Sequence, residues 1–163
     1  MSEVVVSRIF EAPLDKVWRM WTEAALVMQW WGPDHFTCPS AIMDFREGGS
    51  SIVCMRAPAT FGGGDNFSIW TYTKIVLHER IEFIQNLASS DGHKQKPQDL
   101  GMPPDFPEDV RTVVTFRSMG KNRTEMTVTE YADFGQMSHF AKLGLEQSIG
   151  KMKMAVEGAK ASD

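Results

Sequence analysis

Three ionisable side chains lie in strand-like stretches of this chain, where burial could adapt them to acid or base chemistry. They are Lys74, Glu82 and Glu130. Removal from water disfavours the charged form of a side chain, so a buried carboxyl or amine can exchange a proton near neutral pH. None of the three is distinguished from the others by the residues around it. We therefore assign no catalytic residue and keep all three as candidates to test.

The other residue types that carry chemistry are scattered along the chain. The four histidines show no metal-ligand spacing and no His-x-x-x-His pair, which argues against a zinc site. There is no Gly-x-Ser-x-Gly motif for a hydrolase, and the glycine run 62–64 lacks the Lys-Ser/Thr of a phosphate loop. The sequence thus predicts neither a metal nor a cofactor. Cys38 and Cys54 are predicted to be free, buried thiols, because two cysteines make no disulfide framework.

Large apolar side chains are the stronger candidates for binding a ligand. Trp70 and Tyr72 lie two apart in a predicted strand and therefore share one face. Eleven methionines supply flexible side chains that adapt to varied apolar shapes. Core filling and the docking of short helices explain the same residues without a ligand. The candidate cavity residues are Trp18, Trp31, Trp70, Tyr72, Met126, Phe140, Leu145, Ile149 and Met152.

Hydrophobic patterning predicts the elements that would position these side chains. A first strand runs from Val4 to Phe10, Pro13 begins a short helix, and Thr22 caps a second helix that ends near Gln29. Six further strands, paired in hairpins, are predicted at 36–45, 50–56, 66–76, 80–87, 110–117 and 124–131. Asp44 and Arg46 are expected to form an ion pair that holds the turn at Gly48 and Gly49.

From Gly135 onward the periodicity changes to that of one long amphipathic helix. This helix is the only element large enough to cover one face of a seven-stranded antiparallel sheet. A curved sheet and a straight helix leave a gap, which predicts an internal apolar cavity. The predicted fold is α+β of the helix-grip kind, in a single domain over residues 1–163.

The segment from Ala88 to Glu108 interrupts the pattern with several prolines and almost no periodicity. Long connections of this kind in a compact domain are functional lids or simply mobile. Met102 and Phe106 are its apolar anchors. Both interpretations are compatible with the sequence.

Charge and composition exclude several classes of partner. The formal net charge is −4 with no Lys/Arg run, which argues against nucleic acids and anionic membranes. No apolar stretch is long enough for a membrane span, and the first residues do not resemble a secretory signal. We therefore expect a cytoplasmic protein.

Two runs carry a family resemblance. Gln29-Trp30-Trp31-Gly32-Pro33 and Asp44-Phe45-Arg46-Glu47-Gly48-Gly49, after Ile9-Phe10-Glu11-Ala12-Pro13, resemble the START-like superfamily, also called SRPBCC or Bet v 1-like. Within it, residues 4 to 157 are similar to bacterial proteins related to the C-terminal domain of the Hsp90 ATPase activator. The resemblance implies a helix-grip fold with an internal cavity.

The resemblance does not imply one activity, because lipid carriers, hormone receptors and polyketide cyclases share this fold. Lys74 stands where many relatives carry an acidic residue, which argues against transferring a carboxylate role. The activator itself has an additional chaperone-docking domain that this chain has no room for, so chaperone stimulation is not expected.

The favoured hypothesis is a non-enzymatic binder of a small apolar, aromatic or lipid-like molecule. The alternatives are an enzyme of the polyketide cyclase or hydrolase type that uses the same cavity, and a chaperone-interacting module. Homodimer formation is left open by the sequence.

Overall fold

The computed structural model describes residues 3–161, with side chains for residues 3–158. Ten main elements follow one another: β1 (Val4–Phe10), α1 (Leu14–Arg19), α2 (Ala24–Val27), β2 (Ala41–Ile42), β3 (Ser50–Arg56), β4 (Asp65–Val76), β5 (Arg80–Ala88), β6 (Val110–Ser118), β7 (Thr124–Tyr131) and α3 (Ser138–Ala161). Short 3-10 turns lie at Ala59–Phe61, Pro97–Leu100 and Gly135–Met137. The element order is the predicted one.

The strands form one seven-stranded antiparallel sheet in the order β1-β7-β6-β5-β4-β3-β2. Strands β2 to β7 are neighbours in chain order, as hairpin connections require. Strand β1 closes the far side by pairing with β7, where Val4 lies opposite Glu130. The predicted seven-stranded antiparallel sheet with a long C-terminal helix, the helix-grip arrangement, is confirmed.

Helix α3 covers one face of this sheet. Its inward stripe consists of Leu145, Ser148, Ile149, Met152 and Val156, which are all buried. The helix is fastened to β1 by polar contacts, because Lys153 Nζ donates to the Ile9 carbonyl at 2.8 Å. A period near 3.6 residues therefore selects the covered face, as the sequence predicts.

An aromatic cluster docks the two short helices onto the sheet. The Trp21 ring lies 4.7 Å from that of Trp30 and 6.0 Å from that of Trp70. Trp70 in turn stacks on Phe83 of β5 at 5.0 Å. Trp30 Nε1 donates to the Met20 carbonyl at 2.7 Å, which ties α2 to the end of α1. The tryptophans thus act first as packing residues for α1 and α2.

Two predicted boundaries are wrong. The strand predicted at 36–45 is reduced to Ala41–Ile42 and one bridge between Thr37 and Arg56. Pro39 lacks the N–H that a continuous ladder would need at that point. Thr22 does not cap α2: its own N–H is bonded to the Arg19 carbonyl, and α2 begins at Ala24 without a side-chain cap.

Candidate functional site

The predicted cavity residues are brought together in the core, with one exception. Buried side chains are those of Trp18, Trp31, Trp70, Tyr72, Met126, Leu145, Ile149 and Met152. Phe140 is 63% exposed and lies beside His139. It stands one position before Ala141 on α3, and this rotates it away from the inward stripe.

The centre of the predicted cavity is occupied by side chains. Met126, Ile149 and Met152 are 0% exposed, so no water-sized space adjoins them. Tyr72 Oη is 2.7 Å from Ser51 Oγ, which satisfies its hydroxyl inside the core, and burial raises its pKa to about 12. The gap expected between sheet and helix is therefore closed over this half of the interior.

Two strands of the inward face become less buried towards one end, although Thr112 on β6 between them stays buried. On β5, Ile81 and Phe83 are 1% exposed, whereas the next inward residues, Gln85 and Leu87, are only half-buried. On β7, buried Val128 is followed on the same face by half-buried Glu130. This end of the inward face, formed by Gln85, Leu87, Thr112 and Glu130, is named the recess.

Glu130 is the ionisable group of the recess. It lies opposite Val4 of β1 and Thr112 of β6, on the face that also carries Val128. Within residues 3–161 its carboxyl group makes no hydrogen bond and no ion pair. Burial raises its pKa from the ordinary 4.5 to about 7. An inward carboxyl of this kind is suited either to hold a proton or to bind a polar or charged group of a ligand.

Three cations at the contact between α3 and the rest of the chain already have partners. Arg8 Nη2 donates to the Glu146 carbonyl at 3.4 Å. Lys151 Nζ donates to the carbonyls of Pro33 and Phe36 at 3.3 and 3.1 Å, and burial lowers its pKa. Lys153 pairs with the carboxylate of Glu157 at 2.5 Å. These three side chains are therefore committed to the protein's own acceptors.

Two indole groups are also left without partners. Trp31 Nε1 and Trp70 Nε1 are buried and have no hydrogen-bond acceptor within the described part of the chain. Their rings meet edge to face at 5.0 Å, and Trp70 lies opposite Gln85 of the recess. Buried donors in native proteins nearly always have a partner. The interior beside the recess is thus richer in hydrogen-bonding capacity than its own side chains use.

The segment between β5 and β6 reaches from the end of the sheet to the start of α3. Asp105 Oδ2 accepts from the Gln136 backbone N–H at 3.1 Å. The ring of Phe106 contacts that of Phe134 at 5.5 Å, so the predicted apolar anchor does pack against the core. Met102 is half-buried. The segment therefore bridges the recess end of the sheet and the helix that covers it.

A surface groove lies beside the same end of the sheet. It has a volume of about 380 Å³ and is lined by Glu3, Val4, Ala132, Ser138, His139, Lys142, Leu143 and Glu146. Val4 belongs to this groove and also faces Glu130 across the β1–β7 pair. The groove therefore borders the residue that is paired with Glu130. A second groove of about 390 Å³ lies at 94–100, in the β5–β6 connection.

The other two ionisable candidates do not face the interior. Lys74 is exposed. Glu82 lies on the outer face and pairs with Arg80 at 2.6 Å and Arg111 at 3.0 Å, and the hydrogen bond from Arg80 above all lowers its pKa. Glu130 could have been singled out from the sequence, because it continues the alternation of Thr124, Met126 and Val128 on one face of β7.

The predicted ion pair and thiols are confirmed. Arg46 Nε lies 3.0 Å from Asp44 Oδ1 in an exposed pair beside the Gly48 turn. Cys38 and Cys54 are free and buried.

Among residues 3–161 no three His, Cys, Asp or Glu side chains are grouped so as to hold a metal ion. Over the same range, no helix is both long and apolar enough to cross a bilayer.

Comparison with protein families gives a match over residues 11–157. The matching family, AHSA1, is described as activator of Hsp90 ATPase homolog 1-like protein. The chain belongs to this family. The resemblance carried by the Trp-Trp-Gly-Pro run and the Asp-x-Arg-x-Gly-Gly turn is thereby confirmed. No curated protein matches the sequence.

Solved structures share the AHSA1-like fold along nearly the whole chain. A protein from Nitrosomonas europaea has a TM-score of 0.75 at 17% identity, covering 98% of this chain and 96% of its own. One from Chromobacterium violaceum has a TM-score of 0.76 at 20% identity, with 95% and 96% covered. The AHSA1 protein from Silicibacter pomeroyi has a TM-score of 0.74 at 14% identity, with 96% and 98% covered. At these identities the similarity shows the fold.

Proposed function

We propose that this AHSA1-like chain is a cytoplasmic binder of a small, mostly apolar molecule that carries one polar group. The observation that supports this most directly is Glu130, a carboxyl on the inward face of the sheet without a protein partner. The unpartnered indole N–H groups of Trp31 and Trp70 lie along the same end of the interior. A ligand would satisfy these groups and bury its apolar body against the core.

Binding requires some rearrangement, because the core beyond the recess is filled. Met126 and Met152 occupy its centre, and methionine side chains change shape at little energetic cost. The 88–108 segment meets the start of α3 through Asp105 and Phe106, and it is tied to β5 where the Gln95 N–H donates to the Leu87 carbonyl. We expect the ligand to enter at this end and to extend the recess towards Trp70.

The indole signals provide a direct test. In a two-dimensional NMR spectrum each of the five tryptophans gives one indole N–H signal. A bound ligand should shift the signals of Trp31 and Trp70 strongly, and that of Trp30 little, because Trp30 already donates to Met20. Suitable probes are small phenyl and naphthyl compounds. If all such compounds leave the spectrum unchanged, the binding proposal is wrong.

A matched pair of variants locates the site. Thr112→Met fills the recess, whereas Thr115→Met adds the same volume on the other face of β6. We expect the first to weaken probe binding about tenfold or more and the second to leave it unchanged. Equal affinity in both variants would place binding elsewhere.

A second candidate function is acid–base catalysis in the recess. Glu130 lies opposite Thr112, and its near-neutral pKa suits proton transfer. This alternative predicts turnover of a bound cyclic or carbonyl compound that is lost in Glu130→Gln. Recovery of every bound probe unchanged after long incubation would favour binding alone.

A further inference from the structure

We infer that the ligand of the recess presents a protonated amine to Glu130, on a small aromatic or aliphatic body. This inference rests on the binding function proposed above and specifies its ligand class. It follows from which charges the interior offers and which it lacks.

The inward carboxyl has no compensating charge from the protein. From β6, the groups that face Glu130 are Thr112 and its neighbour Val110, and from β1 the opposing side chain is Val4. An ionised carboxyl taken from water without a partner is strongly disfavoured. A ligand cation that reaches Glu130 would supply the missing charge.

Within the described part of the chain, no cation on the elements packed against this end of the sheet forms an ion pair with Glu130, and Lys94, Lys96 and Lys142 are exposed. Arg8 lies on the inward face of β1, and its guanidinium group donates a hydrogen bond to the Glu146 carbonyl. On α3, Lys151 and Lys153 are held by carbonyl and carboxylate acceptors of the protein. Lys142, His139 and Glu146 line the surface groove that Val4 also borders, and none of the three is bonded to Glu130.

The same arrangement disfavours acidic ligands. A fatty acid or another carboxylate would bring a second negative charge to Glu130, and one of the two would have to take up a proton. Its head group could use Arg8, Lys151 or Lys153 only by breaking the bonds that these cations make to the protein's own acceptors. A neutral hydroxyl could donate a hydrogen bond to Glu130, but it would leave the negative charge of the buried carboxylate without a compensating positive charge. The net charge of −4 also favours the approach of a cation.

Three probes with one common body test the inference: phenethylamine, phenethyl alcohol and hydrocinnamate. At a pH of about 8 the amine is protonated and Glu130 is ionised. NMR titration of the full chain should give an affinity for the amine at least about tenfold above that for the alcohol, with hydrocinnamate weakest.

Glu130→Gln keeps the size of the side chain and removes its charge. It should weaken phenethylamine binding by about tenfold to a hundredfold and change the affinity for phenethyl alcohol by less than about threefold. Glu125→Gln is the matched control, because Glu125 lies on the same strand but on the outer face, paired with Arg117. It should leave all three affinities unchanged.

The possible results separate the inference from the binding function beneath it. If none of the three probes and no other phenyl or naphthyl compound binds, the binding function itself is wrong, and the inference falls with it. If hydrocinnamate binds as tightly as the amine, or if Glu130→Gln leaves amine binding intact, the binding function stands and the amine inference is overturned.

A second measurement uses the wild-type chain alone. Between pH values of about 6 and 8 its affinity for the amine should rise as Glu130 ionises, and a flat profile would overturn the inference.

Discussion

Glu130 shows how one side chain can couple the fold to pH. Its folded-state pKa is raised by burial from 4.5 to about 7. Between pH 4.5 and about 7 the unfolded chain has lost this proton while the folded chain still holds it. The free energy of unfolding therefore falls as pH rises through this range. Arg8 is turned to the Glu146 carbonyl, so no cation of β1 offsets the effect.

We therefore predict that Glu130→Gln gains stability relative to wild type as pH rises from 4.5 to about 7. The relative gain should reach roughly 1–3 kcal/mol above pH 7 and change little beyond it. Urea denaturation of both proteins at a series of pH values measures it. Thr129→Val, next along β7 but on the outer face, should keep the wild-type pH dependence. Parallel stability curves for wild type and Glu130→Gln would refute the coupling.

The neighbouring tryptophans 30 and 31 differ in what their indole nitrogens do. Trp30 Nε1 satisfies the Met20 carbonyl at the end of α1, whereas Trp31 Nε1 has no acceptor within the residues described. Replacement by phenylalanine removes similar volume at both positions. Only the Trp30 replacement also leaves a buried carbonyl without its donor.

Trp30→Phe should accordingly destabilise the chain by about 1–2 kcal/mol more than Trp31→Phe. Thermal or chemical denaturation of the two variants side by side provides the measurement. An equal loss in both would mean that packing alone sets the contribution of these side chains.

At the scale of elements, the sequence is informative wherever one periodicity persists. A period of two predicts the strands β4 to β7, and a period near 3.6 predicts α3; both predictions are confirmed. The periods are visible because one face of each element must be buried. The prediction fails where local chemistry interrupts the period, as Pro39 does in the strand predicted at 36–45. It also fails at Phe140, because an apolar residue at the margin of the stripe could face either side.

The candidate site is less predictable than the fold. Which inward side chains fill the space under α3 depends on packing in three dimensions, and Met126, Ile149 and Met152 fill what the sequence suggests is empty. The recess lies at the other end of the inward face, where the side chains become less buried along β5 and β7. The spacing of residue types in the sequence does not reveal this change in burial. Glu130 alone could be anticipated, from its place in the alternation on β7.

The contact between the 88–108 segment and the start of α3 can be tested as a separate unit. Asp105→Ala removes the acceptor of the Gln136 backbone N–H. We predict that hydrogen exchange at Gln136 becomes about tenfold faster while exchange in β6 and β7 is unchanged. Asp99→Ala, an exposed change in the same segment, is the control. Unaltered exchange at Gln136 would show that other contacts hold the segment.

For the molecule as a whole, one aromatic core joins elements that are far apart in sequence. Trp18 of α1 contacts Phe116 of β6 at 5.1 Å, and Trp31 contacts Trp70 of β4 at 5.0 Å. All five tryptophans are buried in this core. Loss of any one of these elements should therefore disturb the others.

We predict a single cooperative unfolding transition in urea. Tryptophan fluorescence, which reports on the aromatic core, and far-UV circular dichroism, which is dominated by α3 and the sheet, should give the same midpoint. Transitions that separate would indicate that α3 leaves the sheet before the core opens.

The two margins of the sheet differ in a way that bears on self-association. Strand β2 is two residues long, and β1 at the other margin lies under α3, with Lys153 engaged at the Ile9 carbonyl. Unpaired backbone at such margins is what templates fibril growth and the exchange of strands between molecules. One edge strand of this sheet is very short and the other is covered by α3, so few backbone groups are available for pairing with another molecule. The chain should therefore resist amyloid-like assembly and stay monodisperse at high concentration for as long as α3 stays in place.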